Sequence, residues 1–316
     1  MTEEYDFIVI GAGVTGLAAA MYAARLGLKT LVLGKSHGSE LPIGGVITTT
    51  NLVENYPGFE KLTGQELAEK IRKHAESYDL VEIKQEKAEK VEKSGKCFAV
   101  KTKKDNYVGK TILFATGTKW KKLDVRGAKE LENRGVAYCA ICDAPLYKGK
   151  TVAVIGGSDS AAKDAMVLAE HAKKVYIIYR GEKIHPEPIN YSRVLSNKKI
   201  EIINNTNVIS VNGSDKVQSV NLDRAFEGSK ELKLDGIFVA IGHVVLSELA
   251  KELGVDVNVH NEIIINHRTA ETNVKGVYAA GDVTDRGFKQ AIIGVAEGCT
   301  AAYSAFEYIT KEKVGE

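Results

Sequence analysis

The sequence predicts an α/β protein made of two similar domains, the second inserted into the first. Three observations carry this expectation. A pattern of apolar strand, glycine turn, Ala-rich helix and second apolar strand occurs twice, as DFIVIGAGVTGLAAAMYAARLGLKTLVL from Asp6 and as KTVAVIGGSDSAAKDAMVLAEHAKKVYIIYR from Lys150. Each copy leads into short alternating segments with turn signals and a closing apolar strand that ends in glycine. One further strand, a Gly-Asp turn and a helix remain in TNVKGVYAAGDVTDRGFKQAIIGVAEGCTAAYSAFEYI, enough to complete the first domain. A repeat of this length is not the short period of a solenoid, and 316 residues suffice for two cores.

The first unit opens as a βαβ motif whose turn holds Gly11, Gly13 and Gly16. Gly11 permits the tight turn, Gly13 lets backbone approach a pyrophosphate, and Gly16 lets the helix pack on its strand. The helix start then offers free amides to phosphate oxygens. An acidic residue normally ends the second strand and takes the ribose hydroxyls, but LVLGKS places Gly34 and Lys35 there, so ribose binding uses something else. The Lys- and Glu-rich run from Lys84 to Lys93 reads as solvated strand and turn surface. VEKSGKCFAVKTKKDNYVGKTILFATG then reads as a small antiparallel meander returning to a buried strand. The second copy repeats the plan through VISVNGSDKVQSVNL and LKLDGIFVAIG. The expected division is 1–117 for the first part of the outer domain, 118–243 for the insert and 244–316 for the second part.

Composition narrows the function classes. Hydrophobic residues make up 44% and charged residues 27%, with 30 Gly and 5 Pro, a globular composition. Lys and Arg number 43 against 41 Asp and Glu, a net charge of +2 that supplies no strong field for nucleic acid or an anionic membrane. No stretch approaches the roughly 20 apolar residues of a membrane span, and a strand starting at residue 5 leaves no room for a signal peptide. A soluble, cytoplasmic protein is expected.

Cys97 and Cys299 stand alone, whereas Cys139 and Cys142 form a C-x-x-C pair in CAICDAP. Three readings of the pair are open. A zinc site needs four ligands, and there is no second C-x-x-C and no H-x-x-x-H nearby, so no metal is expected. A static staple around so short a loop constrains the unfolded chain little. A reversible disulfide suits the spacing, because C-x-x-C pairs often contain one thiol of lowered pKa.

In their order and spacing, GAGVTG, GGVITTTNLVENYPGF from Gly44, FATG from Phe114, YCAICD from Tyr138, VAIGH from Val239 and VYAAGDV from Val277 resemble the low-molecular-weight thioredoxin reductases. The resemblance covers nearly the whole chain. It implies two Rossmann-like (three-layer ββα) dinucleotide-binding domains, FAD in the first, and a redox-active Cys139–Cys142 pair. It implies Gly11, Gly13 and Gly16 at the pyrophosphate, Thr48, Asn55, Thr116 and Gly117 near the flavin, Gly281 and Asp282 at the flavin's sugar-alcohol chain, and Gln290 and Ala291 near the isoalloxazine. Asp282, in a Gly-rich turn before a helix, can also be read as a simple N-cap. In the family, the residue matching Cys142 faces the flavin, the one matching Cys139 attacks the disulfide of a thioredoxin-like protein, and the acid matching Asp143 protonates the departing thiolate. Ala144 and Pro145 stand where the family usually has Gly and an aromatic residue, which alters the surface offered to thioredoxin. Symmetric homodimers are usual in the family and are expected here.

The electron donor is where the sequence departs most. The second fingerprint, GGSDSA, presents Gly156, Ser158 and Ala161, with serine where glycine usually admits the pyrophosphate. NADPH-using relatives carry an H-R-R-x-x-x-R cluster after the next strand, and YRGEKIH keeps only Arg180 of its three arginines. One guanidinium can still pair with a phosphate, but several charge-assisted hydrogen bonds to the 2′-phosphate are lost. Glu182 would suit an NADH ribose or a solvent-facing turn equally. NADPH and NADH remain the expected donors, with ferredoxin or a deazaflavin, used by some relatives, as the alternative. A dithiol oxidase or a redox sensor that has lost turnover would keep the same motifs.

Overall fold

The structure, a computed structural model, describes residues 3–34 and 42–314; Lys35 lies outside the described residues. The chain divides into two compact units, Met1–Lys119 with Val245–Glu316 and, between them in sequence, Trp120–Val244.

The first segment runs β1 (Glu3–Ile10), α1 (Val14–Arg25), β2 (Thr30–Leu33), α2 (Gly64–Glu76), β3 (Val81–Lys84), β4 (Lys90–Ser94), β5 (Cys97–Lys101), β6 (Asn106–Phe114) and β7 (Thr118–Trp120). The middle segment runs β8 (Val136–Ala137), α3 (Ala140–Asp143), β9 (Thr151–Ile155), α4 (Asp159–His171), β10 (Lys174–Ile178), α5 (Pro188–Ser196), β11 (Ile200–Ile203), β12 (Val208–Asn212), β13 (Ser219–Phe226), β14 (Ser229–Lys233), β15 (Gly236–Val239) and β16 (His243–Val245). The last segment adds α6 (Glu248–Glu252), β17 (Val277–Ala279) and α7 (Ala291–Val314).

In the first unit the sheet order is β3-β2-β1-β6-β5-β4, with β17 also on β6. The long strand β6 serves two neighbours on one edge: its first half pairs antiparallel with β5 and its second half pairs parallel with β17. Strands β1 and β2 are buried on both faces, with Phe7, Ile8, Val9, Leu31 and Leu33 fully enclosed. That is why they read as continuous apolar runs, and each such side chain contributes about 1.5–3 kcal/mol. Helix α1 is Ala-rich because α7 crosses it closely: a Cβ on Gly298 would lie 2.4 Å from the Thr15 carbonyl oxygen. Helix α2 starts in a capping box, Thr63 accepting from the Glu66 amide while the Glu66 carboxylate accepts from the Thr63 amide.

The second unit repeats the plan. Its parallel sheet has the order β11-β10-β9-β15-β8, and its meander β12-β13-β14 forms a separate antiparallel sheet. Two clusters of buried apolar side chains flank the parallel sheet, one including Val152, Val154 and Phe238, the other Ala153, Ile178 and Ile237. Alternate residues of β9 feed opposite clusters, as a strand's two-residue period requires. Among the described residues no helix is long and apolar enough to cross a membrane.

Candidate functional site

In the first unit, the glycine turn between β1 and α1 opens onto a cleft of about 230 Å³. The three glycines of this turn do three different things. Gly11 has φ +116°, and a Cβ there would lie 2.2 Å from the Ala115 carbonyl oxygen. Gly16 packs the helix onto its own turn, since a Cβ would lie 1.9 Å from the Gly11 carbonyl oxygen and 2.9 Å from Val9 Cγ1. Gly13 is different: its φ is −72°, ordinary for any residue, and the nearest atom to an added Cβ is 3.9 Å away. Among the described residues nothing requires glycine at 13. The space beside it belongs to the cleft, and the first amides of a helix can receive an anionic group.

Gly11, Gly13, Thr116, Gly117, Asp282, Gln290 and Ala291 line the cleft. The other expected flavin residues adjoin it. Asn55 Nδ2 donates to Gln290 Oε1 at 3.0 Å, joining two residues 235 apart in sequence. Thr48 turns its hydroxyl onto the Gly45 carbonyl, 2.7 Å away, within the short 3-10 helix Gly45–Thr49. Gly281 has φ +81°, and its amide donates to Glu297 Oε2 at 2.8 Å. The Thr116 hydroxyl donates to the Leu246 carbonyl at 2.5 Å, fixing the end of β6.

Several contributors escaped the sequence reading. Glu297, only 6% exposed, also pairs with Arg286, so one buried carboxylate ties down both ends of the loop carrying Asp282. Lys289 lines the cleft, donates to the Asp282 carbonyl at 3.0 Å and pairs with Glu262. Glu262 is held below the usual carboxylate range, burial opposing the shift while Lys289 and Asn258 drive it. The spacing of Glu297 from Arg286 on a loop and the following helix carries no motif, so only the fold reveals the pair. Gly44 is a further cleft residue; its amide donates to the Ala12 carbonyl at 2.7 Å, closing the loop onto the glycine turn.

In the second unit, Cys139 and Cys142 are joined as a disulfide, with Cα atoms 5.4 Å apart. β8 delivers the chain to Cys139, which caps the single turn α3, and a 3-10 turn, Ala144–Tyr147, follows. Cys139 is half-buried and Cys142 exposed. Asp143 is half-buried, and burial raises its carboxyl above the usual aspartate range. Its neighbour Tyr147 is buried edge-on to Phe238, ring centres 5.2 Å apart. Leu146 stands 69% exposed beside this buried pair. The arrangement offers an accessible disulfide with a carboxyl adjacent in sequence whose pKa burial raises. Cys97 and Cys299 are free thiols, and burial pushes the Cys299 thiol up, away from nucleophilic use.

The second glycine turn follows β9. Gly156 has φ +145° and approaches Ala240 as Gly11 approaches Ala115, a Cβ there lying 2.2 Å from the Ala240 carbonyl oxygen. Ser158 is the N-cap of α4 and Ala161 is fully buried. Arg180 and Glu182 are both exposed beyond the end of β10. The expected pieces of a second cradle are therefore at the ends of adjacent strands, with one exposed guanidinium.

The comparisons with known proteins agree with this geometry. Residues 5–298 match the family model described as pyridine nucleotide-disulphide oxidoreductase. The chain is 37% identical over 320 residues to a thioredoxin reductase of Bacillus subtilis, covering 98% of this chain and 96% of that one. It is similar to the crystal structure of Lactococcus lactis thioredoxin reductase in its FR conformation, with TM-score 0.90, 33% identity and coverage of 97% and 99%. It is also similar to a ferredoxin-flavin thioredoxin reductase from Clostridium acetobutylicum, with TM-score 0.52, 32% identity and coverage of 98% and 100%. With glycine turns on two repeated parallel sheets and a C-x-x-C disulfide between them in sequence, the chain belongs to the pyridine nucleotide-disulphide oxidoreductase family, as an oxidoreductase of the thioredoxin reductase type.

Proposed function

We propose that this protein binds FAD in the cleft of the first unit and passes two electrons through Cys139 and Cys142 to the disulfide of a thioredoxin-like protein. The observation that carries the reading is the accessible Cys139–Cys142 disulfide followed directly by the half-buried Asp143. The cleft suits the cofactor: Gly13 leaves room that no atom of the described residues takes, beside a helix start able to hold a pyrophosphate. Gly11 and Gly16 shape that turn, Thr48, Asn55, Thr116, Gly117, Gln290 and Ala291 surround the ring system, and Asp282 beside Gly281 accepts hydroxyls of the sugar-alcohol chain. When bound, FAD supplies a two-electron carrier able to reduce the disulfide.

The chain's own residues do the rest. Reduced Cys139, as thiolate, attacks one sulfur of the substrate disulfide; a mixed disulfide forms and the other substrate sulfur leaves as thiolate. Asp143, protonated more readily than an ordinary aspartate, supplies the proton that a departing thiolate needs. Cys142 then attacks the Cys139 sulfur, which releases the substrate as a dithiol and restores the resting disulfide. The same reading makes the protein a cytoplasmic homodimer. Cys139→Ser and Cys142→Ser are each expected to abolish thioredoxin-disulfide reduction while retaining flavin absorbance and thermal stability. Turnover retained in both variants overturns the reading.

NADPH and NADH are the donors that the family description brings, with Gly156, Ser158, Ala161 and Arg180 as the residues to hold them. A second reading, a donor other than a nicotinamide dinucleotide, is favoured by Gly181 and His185 standing where arginines are usual and by similarity to a ferredoxin-flavin thioredoxin reductase. Anaerobic mixing of the flavoprotein with NADPH and with NADH separates the two: rapid flavin bleaching by either supports the first, and bleaching by dithionite alone supports the second.

A further inference from the structure

The two units of this chain are a built-in comparison. In each, a glycine turn follows the central strand and the chain emerges from the neighbouring strand beside it: Gly34 after β2 in the first unit, Tyr179 after β10 in the second. In open α/β sheets this crevice, at the carboxyl ends of the strands where the order reverses, is where a dinucleotide lies. The first unit leaves it open. No ring sits there: a Cβ on Gly34 would lie 3.2 Å from the Lys84 carbonyl oxygen, 3.3 Å from Ile43 Cγ1 and 3.4 Å from the Ala12 Cβ, and Gly34 and Ala12 both line the cleft.

The second unit fills the same position with its own side chain. A Cβ on Gly157, the counterpart of Ala12, would lie 2.4 Å from Tyr179 Cδ2 and 2.6 Å from Cε2 and Cγ. A Cβ on Gly181 would lie 2.5 Å from Tyr179 Cε1 and 2.8 Å from Cζ. Neither Gly157 nor Gly181 has the positive φ that calls for glycine. What calls for glycine at both is the phenol ring seated between them. The ring is half-exposed, and its backbone and one edge are held. The Tyr179 amide donates to the Ile203 carbonyl at 2.9 Å, and its carbonyl accepts from the Thr206 amide at 3.0 Å. The His185 amide donates to the Gly157 carbonyl at 2.8 Å, strapping residues 180–185 across the glycine turn. The His185 ring lies 5.6 Å from the tyrosine ring, with Nδ1 3.3 Å from the tyrosine hydroxyl. Asp159, at the start of α4, accepts from the Glu187 amide at 2.9 Å and from Asn190 Nδ2 at 2.8 Å and pairs with Lys163 at 2.8 Å. A carboxylate already tied into the protein thus stands where anionic phosphates would be received.

We propose that Tyr179 is a specificity-determining residue that occupies the second cradle and excludes NADH and NADPH from it. This rests on the flavin-and-dithiol reading above and decides which of its two donor classes applies. Displacing the ring means breaking its fit against two glycines and the strap at His185, so a dinucleotide meets a closed shelf instead of an open turn.

The test is equilibrium binding of NADPH, NADH and their oxidised forms to the oxidised flavoprotein, by calorimetry, for the natural chain and for Tyr179→Ala and Tyr179→Phe. The natural chain and Tyr179→Phe are expected to bind none of them in the micromolar range, because the ring and not the hydroxyl does the excluding. Tyr179→Ala is expected to bind at least one of them at least tenfold more tightly. Micromolar binding by the natural chain overturns the proposal. So does a Tyr179→Ala protein that keeps flavin and thermal stability but binds no better, and so does weaker binding by Tyr179→Ala, which would make the ring an adenine platform. In the same preparations, dithionite-reduced protein should reduce a thioredoxin disulfide in every variant. Failure of that step counts against the dithiol reading and leaves the binding comparison intact.

Discussion

The Gly13→Ala substitution separates a glycine kept for a ligand from glycines kept for the fold. Among the described residues an alanine Cβ at 13 meets no atom closer than 3.9 Å, and φ −72°, ψ 174° suits alanine without strain. Two small effects oppose one another: alanine caps a helix somewhat less well than glycine, and it removes about 0.4–1 kcal/mol of unfolded-chain entropy. The flavin-free protein should therefore change by less than about 1 kcal/mol, or about 2–4 °C in Tm for a chain segment of this size. Gly16→Ala drives a Cβ to 1.9 Å from the Gly11 carbonyl oxygen, and overpacking costs about 1–3 kcal/mol or more, several times the Tm shift. Flavin affinity should show the reverse sensitivity. A methyl group in the pyrophosphate's approach breaks one charge-assisted amide–phosphate hydrogen bond, worth about 1.5–3 kcal/mol, so affinity falls roughly 10- to 150-fold. Tm of the flavin-free proteins and flavin titration by fluorescence quenching measure both quantities. Gly13→Ala protein that holds flavin as tightly as the natural chain, or that melts as low as Gly16→Ala, would refute the assignment of this cleft.

Two further outcomes concern half-buried aspartates. Burial raises the Asp143 pKa, so its acid form persists above the usual aspartate range, and turnover is expected to decline as pH rises through that raised value; Asp143→Asn should lower turnover and lose this limb of the pH profile. Burial also pushes the α4 residue Asp164 up to about 7 from 3.8. A folded pKa above the unfolded one gives stability that is complete below the unfolded value and lost as pH rises through the folded one. Asp164→Asn, neutral at every pH, should therefore stabilise the protein by about 2–4 kcal/mol at pH 8 and by almost nothing near pH 4, which denaturant unfolding at the two pH values checks; equal stabilisation at both would show that burial of the charge is not the cause.

Much of the fold was legible because parallel strands buried on both faces leave an unmistakable trace. Phe7 to Ile10 and Val152 to Ile155 are apolar runs with no polar alternation, and each ends in a glycine turn that only a strand-to-helix junction needs. The meanders were legible from Ser-Gly and Asp-Asn turns between alternating segments. What sequence could not show is which residues meet across the turns. Asn55 and Gln290 were both expected near the flavin from the family resemblance alone, and only the fold shows them joined by a hydrogen bond. Glu297 carries no motif, since its value lies in burial beside Gly281 and Arg286. Tyr179 drew no attention in the sequence, where only the missing arginines around Arg180 stood out. Its meaning depends on Gly157 and Gly181 closing on it from either side, and glycine spacing in sequence carries no record of what fills the gap.

The repeat also shows why the reactive groups arise where they do along the chain. In the first unit, the strand beside β6 is β17, and the chain leaving it forms the Gly281–Asp282 turn; in the second, the strand beside β15 is β8, and the chain leaving it reaches Cys139. Both strands run parallel to their neighbour, so both deliver their following residues to the same end of the sheet as the glycine turn. β17 comes last in its unit and β8 first, so a single lane of the fold is reached from opposite directions in sequence. The lane itself therefore specifies position and not chemistry: on one copy it presents a carboxylate to a cleft that a small residue, Gly34, keeps open, and on the other it presents a disulfide beside a turn that Tyr179 keeps filled. If the second turn were only a degraded copy of the first, nothing would hold glycine at 157 and 181, where φ does not require it. Two glycines shaped around one ring point to a position that is occupied by design of the packing, and Gly157→Ala or Gly181→Ala should accordingly destabilise the second unit although neither glycine touches a ligand.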